Sequence, residues 1–403
     1  MYVREKINGF KVLMVSTEYP PMQGGIARYT HNLVKSLRDS GIETFVVSDS
    51  DGLSNYTGLS PTNKNNSEIL LKITETLKPD IVHIQHEHGL YDFRIDPLIP
   101  SRTKTSLDKF YSVSQIPIVT TFHTAFNFSQ WMNSILIEGT DDKLKLRFFY
   151  EYWRHLINYS SFQRINNLAR SKSSKSIVFS NFMNNLMPGC EVVYHGAEPY
   201  RSIEIEQKEA RRRLSLPENG RIALAQGFLT VTKGWDIIQK IELPEGWEIV
   251  INHSKNHYNR QIIDLKFKNK NIINLEKDYL SEEELSLLFF ASDIVFLPYK
   301  ANSGSGVMFD GIGHGKPFLA SDLGFFKEFS NLNLGLAVNR DPRSFVEGFK
   351  IIDKNYEKFR SNVEEFSKNL KWDIIAKKHI SIYESIINET NLKLIVRKNA
   401  LKK

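Results

Sequence analysis

Residues 292–321 read SDIVFLPYKANSGSGVMFDGIGHGKPFLAS: a short apolar run, a stretch of small residues, and a second apolar run that opens at Pro317. Glycine weakens regular structure unless the backbone needs unusual dihedrals or a close approach, so Ser303, Gly304, Ser305 and Gly306 mark a place where a ligand docks on the main chain. Either serine can cap a helix that starts near Gly306, and the first-turn N–H groups of that helix, at Gly306 and Val307, have no partner inside it. Strand, anion-ready helix start and next strand together form the repeating unit of a parallel α/β sheet, whose ligands sit at the carboxyl ends of the strands. Asp310, one turn further on, can accept two hydrogen bonds from a ribose diol.

The same alternation runs in both directions from this stretch. KVLMVS (11–16), TFVVS (44–48), DIVHIQ (80–85), PIVTTF (117–122), SIVFS (176–180) and EVVYHG (191–196) read as strands. After the polar stretch 199–221 the pattern restarts with IALAQGF (222–228), WEIVINH (247–253) and IINL (272–275). Two doubly wound, Rossmann-like α/β domains that face a cleft follow from this, joined near residues 198–218. A chain of 403 residues is also longer than one core usually supports. The segment 372–388 reads as an amphipathic helix with Ile375, His379, Ile382 and Ile386 near one face.

Several function classes drop out. A dinucleotide fingerprint, G-x-G-x-x-G, is absent from the loop STEYPPMQGGIARYT, so a nicotinamide dehydrogenase is not expected. Cys190 is the single cysteine, which rules out an internal disulfide and cysteine-rich metal sites. His86, His88 and His123 with Glu87 alternate along strand ends, a poor arrangement for tetrahedral zinc, and read instead as a polar wall that bonds hydroxyls. No metal and no cofactor are expected.

The net charge of +7 is local. Segment 141–175 carries eight basic and three acidic side chains, segment 391–403 five basic and none acidic, and the rest of the chain is slightly acidic. The first segment packs Phe148, Phe149, Tyr150, Tyr152 and Trp153 among its cations, which suits a helix with one face in the core and also an anionic membrane surface. No nucleic-acid-binding module accompanies the charge. The N-terminus lacks a signal-peptide cleavage site and no run approaches a membrane span, so the expected place is the cytoplasm, peripheral at the inner membrane face where the basic segments meet lipid.

Taken in order, KVLMVSTEYPPMQGGIARYTHNLVKSL, PDIVHIQHEHGLY, PIVTTFHTAF, VVYHGAE, GFLTVTKGWD, ASDIVFLPY…SGSGVMFDGIGHGKPFLASDLGFFKEF and KWDIIAKKHISIYESI resemble glycosyltransferase family 4 and its relatives of GT-B fold. The resemblance implies a retaining, metal-independent hexosyltransferase that moves a sugar from a nucleotide diphosphate sugar, UDP- or GDP-linked, to a hydroxyl acceptor on a glycan, a lipid or a small molecule. It implies an acceptor-side domain over 1–198, a donor domain over 199–371, and a final helix, within 372–403, that crosses back to complete the first. By the same resemblance Gly24 and Gly25 form the glycine loop, and His123 is the catalytic cleft histidine. Lys233 and the helix start at Ser305, Gly306 and Val307, with Ser303 and Gly304 beside it, hold the diphosphate. His86 and Glu87 face the acceptor. The family's two glutamates separated by seven residues are here Asn302, at the catalytic position, and Asp310, and Phe228 stands where an arginine often accompanies the lysine. Those departures open a second reading, a catalytically silent nucleotide-sugar or glycan-binding protein of the same fold.

Overall fold

A computed structural model describes residues 9–94, 99, 102–133, 142–202, 204–254, 267, 269–275, 277 and 279–400. Within them lie two all-parallel sheets. The first contains β1 (Lys11–Val15), β2 (Glu43–Ser48), β3 (Tyr56–Thr57), β4 (Ile81–His86), β5 (Ile118–Phe122), β6 (Lys175–Val178) and β7 (Glu191–Val192), in the order β3-β2-β1-β4-β5-β6-β7. The second contains β8 (Arg221–Phe228), β9 (Trp247–Ser254), β10 (Ile272–Asn274), β11 (Ile294–Leu297), β12 (Phe318–Ser321) and β13 (Gly335–Val338), in the order β10-β9-β8-β11-β12-β13. In each sheet the order reverses beside the first strand, between β1 and β4 and between β8 and β11. Such switch points leave a crevice at the carboxyl ends of the strands, which is where every loop discussed below begins.

The strands are apolar end to end because helices cover both faces of each sheet. Residues 12–15 of β1 and all of β4, β5, β11 and β12 are buried. Helix α1 (Gly25–Asp39) covers one face of the first sheet with Tyr29, Leu33, Val34 and Leu37. A long helix, α2 (Asp142–Lys172), lays Phe162, Ile165 and Ala169 into the core, whereas Phe149 and Trp153 are about 60% exposed. The side chains of Lys143, Lys145, Arg147, Lys393, Arg397 and Lys398, and residues 402–403, lie outside the described residues, so much of the expected basic surface is not described. No helix among the described residues is long and apolar enough to cross a membrane.

The polar stretch read as a junction contains a helix, α3 (Gln207–Arg213). Its Arg211 is fully buried, donating from Nη2 to Asp293 (2.7 Å) and from Nε and Nη1 to the carbonyls of Ala291, Glu218 and Gly220. The charge that makes this segment look like a linker is thus a core element of the second sheet's layer.

Helix α4 (Gly306–Gly313) follows β11, and the last helix, α5 (Trp372–Ala400), packs back on the first sheet. Ile375, His379, Tyr383 and Ile386 form its buried face; Tyr383, and not Ile382, occupies the central position. Where α5 begins, the Trp372 ring lies against Gly196, and a Cβ there would come within 2.5 Å of the indole. A glycine at 196 is what lets the chain cross from the second sheet to the first.

Candidate functional site

The cleft between the sheets holds about 420 Å³ and is lined by residues that follow β1, β4, β5, β8 and β11. Of the expected site residues, Gly25, Glu87, His123, Lys233, Gly304, Ser305, Gly306, Val307 and Asp310 line it. Gly24, His86, Asn302 and Ser303 do not.

The donor-side wall is built on α4. Ser305 caps it, its Oγ accepting from Met308 N–H at 3.2 Å, which leaves the N–H groups of Gly306 and Val307 at the cleft. Gly306 stands over the His195 ring, where a Cβ would approach Nε2 to 3.3 Å. Lys233 reaches the same space from the turn after β8. Its Nζ donates to the Tyr299 hydroxyl at 2.9 Å and sits 4.1 Å from the centre of that ring. Gly227, at φ +152°, lies under the lysine stem, and it is this backbone conformation that favours glycine there. An ammonium and two aligned N–H groups at one end of a cleft form a site for a diphosphate.

The facing wall carries carboxylates and neutral rings. Glu87 accepts hydrogen bonds from its neighbour His88 N–H (3.0 Å) and from the Thr124 hydroxyl. Burial raises its pKa, but these bonds and the adjacent His88 outweigh that and hold it at about 2. Burial pushes His123 down to about 3 against the pull of Glu87, and His195 down to about 4. Both rings are neutral near pH 7.

Four expectations need correction. His86 is 2% exposed and turned inward, its Nε2 at 3.3 Å from Asn166 Oδ1 and its ring against Phe122, so it does not face an acceptor in the cleft. Asn302 is buried too: its Oδ1 accepts from Gly304 N–H (3.0 Å) and its carbonyl from Gln130, so it shapes the turn rather than meeting the sugar. Ser303 accepts from Ala125 N–H (3.1 Å) and ties the turn to the first sheet. The small residues do serve a close approach, but at Ser303 it is the other half of the chain that approaches. Asp310 lines the cleft, yet its carboxylate is not free for a ribose, because Arg28 Nη1 lies 2.6 Å away.

Sequence reasoning missed that arginine. Arg28, on α1, bonds Asp310 and Glu282 and so bridges the two walls, which its helical spacing alone does not reveal. Glu18 is the second omission. Only 5% exposed, it accepts a hydrogen bond from Ala27 N–H at the start of α1, and a Cβ on Gly24 would overlap its carboxyl group. The α1 start, where the resemblance places the glycine loop, is therefore already occupied by a carboxyl group of the chain. Burial, with the charge of Glu87, pushes Glu18 up from 4.5 to about 7. The folded chain keeps this proton to higher pH than the unfolded chain, so the group makes stability fall as pH rises from about 4.5 to about 7. Glu18→Gln should remove that fall, roughly 2–3 kcal/mol between pH 5 and pH 8. Urea unfolding at the two pH values measures it, and equal slopes in both proteins would refute it.

The descriptor set by this fold and cleft is GT-B, the two-domain glycosyltransferase architecture, and similar solved structures share it. Sucrose-phosphate synthase from Thermosynechococcus elongatus is 13% identical with a TM-score of 0.61, over 94% of this chain and 100% of that one. A glycosyltransferase from Rickettsia africae is 16% identical with a TM-score of 0.62, over 94% and 99%. Anabaena HepE, solved in complex with UDP and glucose, is 14% identical with a TM-score of 0.62, over 93% and 100%. More closely, residues 23–165 match the model of Glycosyltransferase Family 4, so the chain is family 4-like on the side that carries α1, Glu87 and His123. No curated protein matches the sequence.

Proposed function

We propose that the chain is a retaining, metal-independent glycosyltransferase that moves a sugar from a nucleotide diphosphate sugar to a hydroxyl acceptor. The observation that carries this reading is the convergence, in one cleft, of the α4 start and Lys233 on one wall with His123 and Glu87 on the other. As the glycosidic bond breaks, its electron pair stays on the diphosphate, which gains one negative charge, and Lys233 with the N–H groups of Gly306 and Val307 meets that charge where it develops. These groups supply the positive field a divalent cation supplies elsewhere. The family resemblance over 23–165 supports retention. The relatives' ligands support a nucleotide donor, with UDP bound to HepE. An acceptor hydroxyl borne by a glycan or lipid would enter from the wall of Glu87, and the exposed Phe149 and Trp153 of α2 suit presentation of a lipid-borne one.

Asp310 enters this reading in a new role. Held by Arg28, it ties the two walls together, and a ribose diol would take the carboxylate by displacing the guanidinium, which keeps Glu282 as its partner. A thermal-shift series with UDP, GDP, ADP and their glucose or mannose conjugates, with and without magnesium, tests the donor site. One nucleotide should raise the melting temperature by several degrees, equally with and without magnesium, and a coupled assay should show transfer or slow hydrolysis of its sugar conjugate. A rise without any consumption of the sugar nucleotide supports the silent binding protein instead, and no rise with any nucleotide removes both readings.

A further inference from the structure

His123 is held by a residue that no part of the functional reading has used. Its Nε2 lies 2.9 Å from Oε1 of Gln85, a fully buried side chain on β4. Oxygen and nitrogen of an amide are told apart by their partners. Here the other end of the amide lies 3.1 Å from the Met14 sulfur, which has no proton to give, so that end is the NH₂ group. Its second direction points to His83 Nε2 at 3.5 Å. The oxygen therefore faces His123, and the ring nitrogen that meets it must carry the hydrogen. Tyr29 and Phe179 pack edge-on against the same ring, at 5.3 and 5.1 Å between centres, and fix its plane.

The remaining nitrogen, Nδ1, has no hydrogen-bond partner among the described residues. It is also absent from the buried unpartnered atoms, and the half-buried ring lines the cleft, so Nδ1 reaches the open space. Gln85 is in turn anchored from behind: His83 bonds Thr121 at 2.8 Å and the Tyr383 hydroxyl of α5 at 2.6 Å, all in the core.

We propose that Gln85 is a positioning residue that locks His123 in the Nε2–H tautomer, so that Nδ1 faces the cleft as a hydrogen-bond acceptor and takes a hydroxyl of the bound sugar. The tautomer stands on the free protein alone; the sugar hydroxyl rests on the donor reading above. The consequence for recognition is a sign. An acceptor nitrogen favours a ligand group that brings its own proton and disfavours a phosphate or carboxylate oxygen at that spot. Burial keeps the ring neutral near pH 7, which preserves the lone pair.

Two-bond ¹H–¹⁵N correlation spectra of the uniformly labelled full chain at pH 7 test this, with His123 assigned by the signals missing from His123→Gln. The wild type should show a protonated Nε2 and an unprotonated Nδ1. In Gln85→Met, which keeps the length but removes the oxygen, both nitrogens should move toward their common mean as the two tautomers mix. An Nδ1–H ring in the wild type, or an unchanged single tautomer in folded Gln85→Met, overturns the proposal; the wild-type spectrum decides by itself if the variant does not fold. UDP-glucose, GDP-mannose and ADP-glucose, each compared with its parent diphosphate, then test the hydroxyl. The conjugate that stabilises the chain should shift Nδ1 where its parent does not, and no shift overturns that assignment. If none of the three stabilises the chain, the donor reading fails, while the tautomer is still decided by the free protein.

Discussion

Asp293→Ala is expected to be among the most destabilising single changes in the second sheet's layer, by about 3–5 kcal/mol, because it leaves the buried guanidinium of Arg211 without the carboxylate it contacts among the described residues. Asp293 Oδ2 also accepts Ile222 N–H at 2.7 Å, so the substitution orphans a backbone donor at the second residue of β8. The neighbourhood stays cationic, since Arg221, which keeps Asp353, and the half-buried Lys316 both remain nearby. Removing the other partner should cost less. In Arg211→Met the Asp293 carboxylate keeps Ile222 N–H and Arg221, and the methionine stem fills part of the space left by the arginine. The double variant should therefore be more stable than Asp293→Ala alone. Urea unfolding followed by tryptophan fluorescence measures all three, read from midpoints at constant slope. A loss below about 1 kcal/mol for Asp293→Ala, or a double variant weaker than both singles, would show that the guanidinium is hydrated in place.

That ion pair also shows why the sequence is only partly legible. Parallel strands buried on both faces leave long apolar runs, so β1, β2, β4, β5, β8, β9 and β11 stand out one by one, and their repetition implies the fold. The two-residue β3 and the half-buried β13 carry too little apolar length to separate from loops. Arg211 fails for the opposite reason: in RRRLSLPENGR a core arginine has the same letters as a solvated one, and its partner lies 82 residues away. The candidate site divides along the same line. Main-chain features, the Ser305 cap and the start of α4, are written in adjacent residues and are visible locally. Side-chain pairings across the cleft, Arg28 with Asp310 over 282 residues and Gln85 with His123 over 38, depend on how the two sheets and their strands are brought together. Glu18 gives no local signal either, since it lies six positions ahead of Gly24, across two prolines, and reaches the helix start only through the fold of that loop.

Lys233→Ala should produce the largest loss of activity under the proposed function, about 10²–10³-fold in kcat, the usual effect of deleting one preorganised group that stabilises developing charge. The argument rests on placement. The ammonium is held by the Tyr299 hydroxyl and the face of that ring, over a turn in which Gly227 and Gly234 have positive φ. A residue with that many constraints on a surface-reaching side chain is fixed in advance of the ligand, so little reorganisation is needed when the diphosphate departs. Phe228 beside it, instead of an arginine, leaves Lys233, among the described residues, as the one cation that the second sheet's side adds to the cleft lining, which raises the share of the charge that it must stabilise. Lys233→Arg should recover only part of the rate, because the planar guanidinium cannot occupy the same point over the Tyr299 ring without displacing it. Single-turnover rates with the nucleotide sugar chosen by thermal shift separate the two ways a lysine can act. A fall in the chemical step with a small change in donor affinity places Lys233 on the departing charge; a rise in KM with kcat intact reduces it to a ground-state anchor, and the N–H groups of α4 would then carry the leaving diphosphate alone.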